Sequence, residues 1–294
     1  MPRPCLAWKP DPSVPFRRRR IMPYAKTRSG SLHYEVIDHV APWHAPGGTV
    51  LFHHGIGAAP GIWLKWLPNL VDRYRIVLFD MRGYDRSEAA AEGADWSMAL
   101  LTDDVFAVAD AAGLDTFHLV GESIGGTVAL ACALRHPHRL ASLTISNGAH
   151  VGTNIQHVEN WASCIATQGI KGWSDQFLRD RFHDDALPPR ELDWYAQAQE
   201  RWRGDVVLSA LSVLIGTDLS ARLPDIAIPT LLMHPDSSPF IPASVTADLH
   251  ARLPDSTLNV WGPARHGLPF SHAAACSARL RAFLDGLRAP DRAA

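Results

Sequence analysis

The stretch that most constrains this chain is Gly121-Glu122-Ser123-Ile124-Gly125. It lies between a short apolar run rich in strand formers, Thr116 to Val120, and a segment from Thr127 to Leu134 that reads as a buried helix. A strand joined to a helix through so few residues must turn so tightly that the central residue takes a strained backbone conformation. Only glycine at the flanks lets the two elements approach closely enough. The Ser123 hydroxyl is then lifted clear of the sheet at a helix N-terminus, whose dipole favours developing negative charge. Gly-x-Ser-x-Gly also occurs in ordinary turns, so the rest of the chain must decide what this one is.

Around it, apolar strands alternate with helices. Ser31 to Ile37 alternates like a first strand, Thr49 to Phe52 reads as a buried strand running into His53-His54-Gly55-Ile56-Gly57, and Leu64 to Val71 reads as a helix. Arg75 to Phe79 is another strand, residues 98 to 112 an Ala-rich amphipathic helix, and Leu143 to Ser146 a strand closing in Asn147. The alternation resumes at Thr230 to Met233 and Thr257 to Val260, and a last amphipathic helix covers about residues 271 to 287. Such an order predicts an α/β fold, a mostly parallel sheet covered by helices on both faces. Residues 151–222 differ, being helical in pattern, with Trp161, Trp173, Trp194 and Trp202 and no convincing strand. This segment is expected to be a helical cap, or lid, inserted into a core made of residues 23–150 and 223–288. Its tryptophans serve either as the cap's own core or, for Trp161 and Trp194, as lining of a mostly apolar substrate pocket.

Composition narrows the partners. A net charge of -2 gives no field that would recruit nucleic acid or a membrane surface, and no apolar stretch approaches the ~20 residues that span a bilayer. Cys5, Cys132, Cys164 and Cys276 are far apart and form no C-x-x-C pair, which fits thiols in a reducing, cytoplasmic setting. His33, His118, His136, His138 and His183 show no metal-ligand spacing. Residues 1–22 hold five prolines and the run Arg17 to Arg20 without an apolar segment, so a disordered leader is expected, with Met22 as a natural start. A homodimer is left open.

In open α/β sheets ligands sit beyond the carboxyl ends of the strands. Here those ends carry His54-Gly55-Ile56, Ser123, the Asp236 loop and Gly262-Pro-Ala-Arg-His266-Gly. An oxyanion-type loop, a nucleophile, an acid and a base thus occur together, in the chain order Ser, Asp, His.

These motifs resemble the α/β-hydrolase superfamily over residues 22 to 288, and within it the 3-oxoadipate enol-lactonase group of small esterases and lactonases. The likeness is carried by His54-Gly55-Ile56, Asp80-x-Arg82-Gly83-x-x-x-Ser87, Gly121-x-Ser123-x-Gly125-Gly126, His266 and the segment Asp218 to Pro229. The resemblance implies a nucleophile in Ser123, a base in His266 and an oxyanion hole from the backbone N–H groups of Ile56 and Ile124. That chemistry needs no metal and no organic cofactor. The substrate it implies is a small-molecule ester or lactone.

Two departures stand out. Relatives read Gly-x-x-Asp-x-x-x-Pro after the strand that supplies the acid, whereas here Ser238 stands four residues before Pro242 and Asp236 sits two positions early. Asp236 is the only carboxylate in that loop and is expected to be the acid. An acid from elsewhere, or none at all, stays open, because Asn147 fills the other strand end where some relatives carry one. Asp85 replaces a glycine of the relatives in a neighbouring turn. Glu122 adjoins the nucleophile and is a candidate substrate contact. His53 is expected to pack the oxyanion loop, His272 is a poorer base than His266, and Arg82 is expected to buttress its loop. The leading expectation is therefore a serine hydrolase of a small ester or lactone. Carbon–carbon bond hydrolysis or cofactor-free oxygenation on the same fold, and a non-catalytic ligand-binding homologue, remain as alternatives.

Overall fold

The computed structural model describes residues 24–44, 47–89 and 96–287. The expected leader lies outside the described residues. An eight-stranded sheet runs in the order β1-β2-β4-β3-β5-β6-β7-β8. β1 (Tyr24–Thr27) pairs antiparallel with β2 (Gly30–Ile37), and β2 pairs antiparallel with β4 (Arg75–Phe79). All other pairings are parallel, through β3 (Thr49–His53), β5 (Phe117–Glu122), β6 (Leu140–Ser146), β7 (Thr230–Pro235) and β8 (Ser256–Trp261).

The pleat sends alternate residues of the parallel strands to opposite faces. Leu51, Val77, Leu119 and Leu143 pack on one face with helices α1 (Met98–Ala111) and α2 (Ile124–Arg135). Val50, Phe52, Ile76, Leu78 and Val120 pack on the other with the 3-10 segment Pro60–Asn69 and the C-terminal helix. Burial on both faces is what makes these strands read as unbroken apolar runs. Ser97 caps α1 by accepting the Leu100 N–H at 3.2 Å, which accounts for where that helix begins.

Between β6 and β7 the described chain is helical apart from a single bridge, Val151 to Asp218. It runs through α3 (Trp161–Arg181), kinked at Gly169, then α4 (Pro189–Glu200) and α5 (Gly204–Ile215). These helices rest on the loop that follows β3, where Trp202 Nε1 donates to the Ala58 carbonyl at 3.0 Å. The chain closes with α6 (Ala243–Arg252), the short α7 (Leu268–Ser271) and α8 (Ala273–Leu287). Among the described residues no helix is long and apolar enough to cross a membrane.

Four elements depart from the pattern expected of the sequence. The stretch expected as a helix over Leu64 to Val71 is the 3-10 segment, because Pro68 inside it cannot donate an α-helical hydrogen bond. The expected final helix is broken into α7 and α8 at His272. β1 and α6 were not foreseen.

Candidate active site

The turn between β5 and α2 places Ser123 at φ 56° and ψ -120°, a region costly to a residue with a side chain, by about 1–3 kcal/mol. The flanking glycines make it feasible. A Cβ on Gly121 would collide with the Gly125 carbonyl, and one on Gly125 would stand 2.6 Å from the His53 carbonyl oxygen. The Ser123 N–H donates to Ser146 O at 2.9 Å, tying the turn to β6.

His266 follows β8, and its Nε2 lies 3.1 Å from Ser123 Oγ, in position to accept the hydroxyl proton. Asn147 Nδ2 donates to the His266 carbonyl at 2.5 Å, so Asn147 anchors the loop rather than the ring. The edge of the Phe240–His266 pair, 5.0 Å between ring centres and 88° between planes, holds the imidazole from a third side. Burial, then the positive charge of Arg181, then His234, push the His266 pKa well below 6.5. The ring is therefore neutral and able to act as a base at neutral pH.

The position behind the ring is taken by Ser238, whose Oγ lies 3.0 Å from His266 Nδ1 and accepts the Ile241 N–H at 3.2 Å. Asp236, the residue expected there, is exposed and engaged with the loop that follows β8. Its carboxylate accepts the Ala264 N–H at 3.0 Å and the Ser237 hydroxyl at 2.9 Å, and the first of these bonds holds its pKa below the usual value. A carboxylate so used braces the β7 and β8 loops against each other and does not meet His266.

On the other side of Ser123, Ile56 lines the cavity, and Ile124 opens α2 with a backbone N–H that a helix cannot use internally. The Ile56 loop is held from both ends. Glu122 Oε2 accepts the Gly55 N–H at 2.6 Å, and Arg181 donates to the Ile56 carbonyl while its Nη1 stands 3.4 Å from Glu122 Oε1. Both charged side chains are 1% exposed. Burial raises the Glu122 pKa, opposed by Arg181 and the Gly55 N–H. Glu122 thus braces the loop and does not line the cavity. His53, pushed by burial to about 4, and His54, to about 3, are neutral parts of the same scaffold, His54 Nε2 accepting the Met81 N–H at 2.9 Å. Arg82 ties its loop down through a buried ion pair with Asp104 and a bond from its Nη1 to the Ser29 carbonyl at 2.7 Å.

Ser123, His266 and Ile56 meet in one cavity with Trp161, Phe177, Phe240, Arg181 and several aliphatic side chains. Trp194 lies elsewhere, stacked on Phe270 at 5.4 Å beside a surface recess containing His33, Glu35, Asp80 and Arg86. Sequence reasoning noted the position of Ser238 without giving it a role, and it missed Arg181 and Phe240. For Ser238 a signal existed, its spacing of four from Pro242, whereas a lone arginine in a helical segment carries none. Among the described residues no group of three His, Cys, Asp or Glu is placed to hold a metal ion.

A family model described as alpha/beta hydrolase fold matches residues 48–203, more than half of the chain. The chain is 29% identical over 252 residues to a protein of Caulobacter sp. strain K31 named "Putative carbamate hydrolase RutD", covering 81% of this chain and 91% of that one. Its counterpart in Variovorax paradoxus S110 is 29% identical over 276 residues, 88% of this chain and 98% of the relative. Among solved structures, the enol-lactonase from Burkholderia xenovorans LB400 superposes with a TM-score of 0.81 at 23% identity, covering 90% of this chain and all of that one (100%).

Proposed function

The chain belongs to the α/β-hydrolase fold family, and from that membership we propose that it is a serine hydrolase of small carboxylic esters or lactones. The observation that carries this reading is the 3.1 Å approach of Ser123 Oγ to a neutral, buried His266 Nε2 at the mouth of a helix N-terminus. Ser123 Oγ attacks the acyl carbon as its proton passes to His266 Nε2. The negative charge formed on the acyl oxygen is taken by the N–H groups of Ile56 and Ile124, each such donor contributing on the order of 3 kcal/mol. His266 then returns the proton to the leaving alcohol, and a water molecule, deprotonated by the same nitrogen, releases the acid. Ser238 orients the ring. Residues 151–222 act as the cap that closes the site, with Trp161 in the lining and Arg181 holding the oxyanion loop.

A carbamate presents the same acyl carbon to the same groups, and the relatives from Caulobacter and Variovorax bear that name. The test therefore compares substrates. A fluorophosphonate should label the protein on Ser123, and Ser123→Ala and His266→Ala should abolish the labelling. 4-Nitrophenyl esters should be hydrolysed faster than the matching N-alkyl carbamates. Absence of labelling overturns the hydrolase reading, and preference for the carbamate replaces the ester.

A further inference from the structure

The volume at Ser123 bears on which esters fit. The cavity there measures about 20 Å³, room for about one water molecule, whereas sites for small organic ligands run to roughly 300–1,000 Å³. The substrate's substituents must lie elsewhere. One side of the cavity is polar and built of Ser123, His266 and Arg181. Another is a packed aromatic wall, Phe177 standing 4.2 Å from Trp161 and stacked 4.7 Å from Phe240. The remaining wall is aliphatic, formed by Ile155, Val158 and Leu211, and these same side chains form the inner end of a groove of about 700 Å³ that opens on the surface. Leu208 and the exposed Ile215 continue the groove outward, and Glu159 is the one charged residue lining it among the described residues.

We propose that this groove is the acyl-chain subsite, and that the protein's substrates are esters of an extended, unbranched apolar acid. The inference rests on the hydrolase reading above and deepens it. The acyl carbon sits at Ser123, and the chain passes between Ile155, Val158 and Leu211, whose side chains part by rotamer changes, to lie between α3 and α5. Burial of each methylene along that path favours the transition state for acylation about fourfold. A compact lactone that carries a carboxylate would gain nothing from such a lining and would lose the hydration of its charge.

The test uses the full chain and 4-nitrophenyl acetate, butyrate, hexanoate and octanoate. The ratio of kcat/KM for hexanoate over butyrate, two methylenes apart, should be roughly fifteenfold. Ser212→Trp on α5 and Ala162→Trp on α3 fill the groove from opposite sides at exposed positions, so each should flatten that ratio. A flat profile in the unsubstituted protein, or one that neither substitution changes, overturns the subsite. Labelling of Ser123 by short and long alkyl fluorophosphonates at equal rates does the same while the hydrolase reading stands. No labelling by either removes both.

Discussion

His266 rests its Nδ1 on the hydroxyl of Ser238, 3.0 Å away, and not on a carboxylate. For Nε2 to accept the Ser123 proton, the ring must carry its own proton on Nδ1, and Ser238 Oγ is the acceptor that favours this tautomer. The Ile241 N–H on the same oxygen fixes its direction. A neutral oxygen does the orienting half of the usual task. It offers much less to the imidazolium that forms as the proton arrives, because a hydroxyl meets that charge with a dipole, whereas a carboxylate would meet it with a full negative charge.

Replacing Ser238 by aspartate should supply what is missing. A charge-assisted bond exceeds a neutral one by about 1–2 kcal/mol, so kcat for a 4-nitrophenyl ester should rise roughly 5- to 30-fold in Ser238→Asp. Ser238→Ala removes about 1 kcal/mol of orientation, and kcat should fall roughly fivefold. Initial-rate measurements on the two variants decide it. Equal rates in all three proteins would mean that nothing behind His266 matters.

The pH profile follows from the same ring. Protonated His266 cannot accept the Ser123 proton, and burial, Arg181 and His234 all resist protonation, so its pKa is lowered well below 6.5. The acid limb of kcat/KM should therefore lie below pH 6.5, with the base still free at that pH. Ser238→Asp adds a negative charge beside the ring and should move the limb upward. A limb at or above 6.5 in the unsubstituted protein contradicts the burial argument.

What the sequence discloses and what it hides divide along physical lines. The elbow is legible because a turn this tight demands small residues on both sides of the serine, Gly121 against the Gly125 carbonyl four residues on and Gly125 against the His53 carbonyl of the neighbouring strand. The strands β3 to β7 are legible because burial on both faces leaves a run of apolar residues. β1, four residues at the sheet edge, leaves no such run. Asp236 looked like the acid because it is the only carboxylate in its loop, yet an aspartate at a turn serves equally well as a backbone acceptor, and Ala264 claims it. Arg181 could not be found at all, since its partners Glu122 and Ile56 are remote in sequence and it carries no periodic signal.

Glu122 and Arg181 should behave as a unit. Glu122→Gln leaves a guanidinium that is 1% exposed without its carboxylate, and breaking a buried pair in this way costs about 3–5 kcal/mol. Urea unfolding should register that loss as a lower midpoint. The double variant Glu122→Gln/Arg181→Met should recover part of the stability, because no buried charge is then left unpaired. A double variant as unstable as the sum of the two single ones would show that the residues act independently.

The oxyanion loop offers the sharpest separation of catalysis from folding. A methyl group at residue 55 would run into Glu122 Oε2 and stand 2.8 Å from Ser123 Cβ. Neither neighbour can give way, the carboxylate being held by the Gly55 N–H and Arg181, and Ser123 by the strained turn. The strain must fall on the backbone of residues 55 and 56, which moves the Ile56 N–H away from the developing oxyanion. Gly55→Ala should thus lower kcat about 100-fold, the loss typical of one oxyanion donor, while a smaller stability cost of about 1–3 kcal/mol leaves the protein folded. Gly286→Ala, where a Cβ meets nothing within 4 Å, is the matched control and should leave the rate unchanged. Burst kinetics with 4-nitrophenyl acetate read the acylation step directly. An undiminished burst rate in Gly55→Ala would remove the Ile56 N–H from the mechanism.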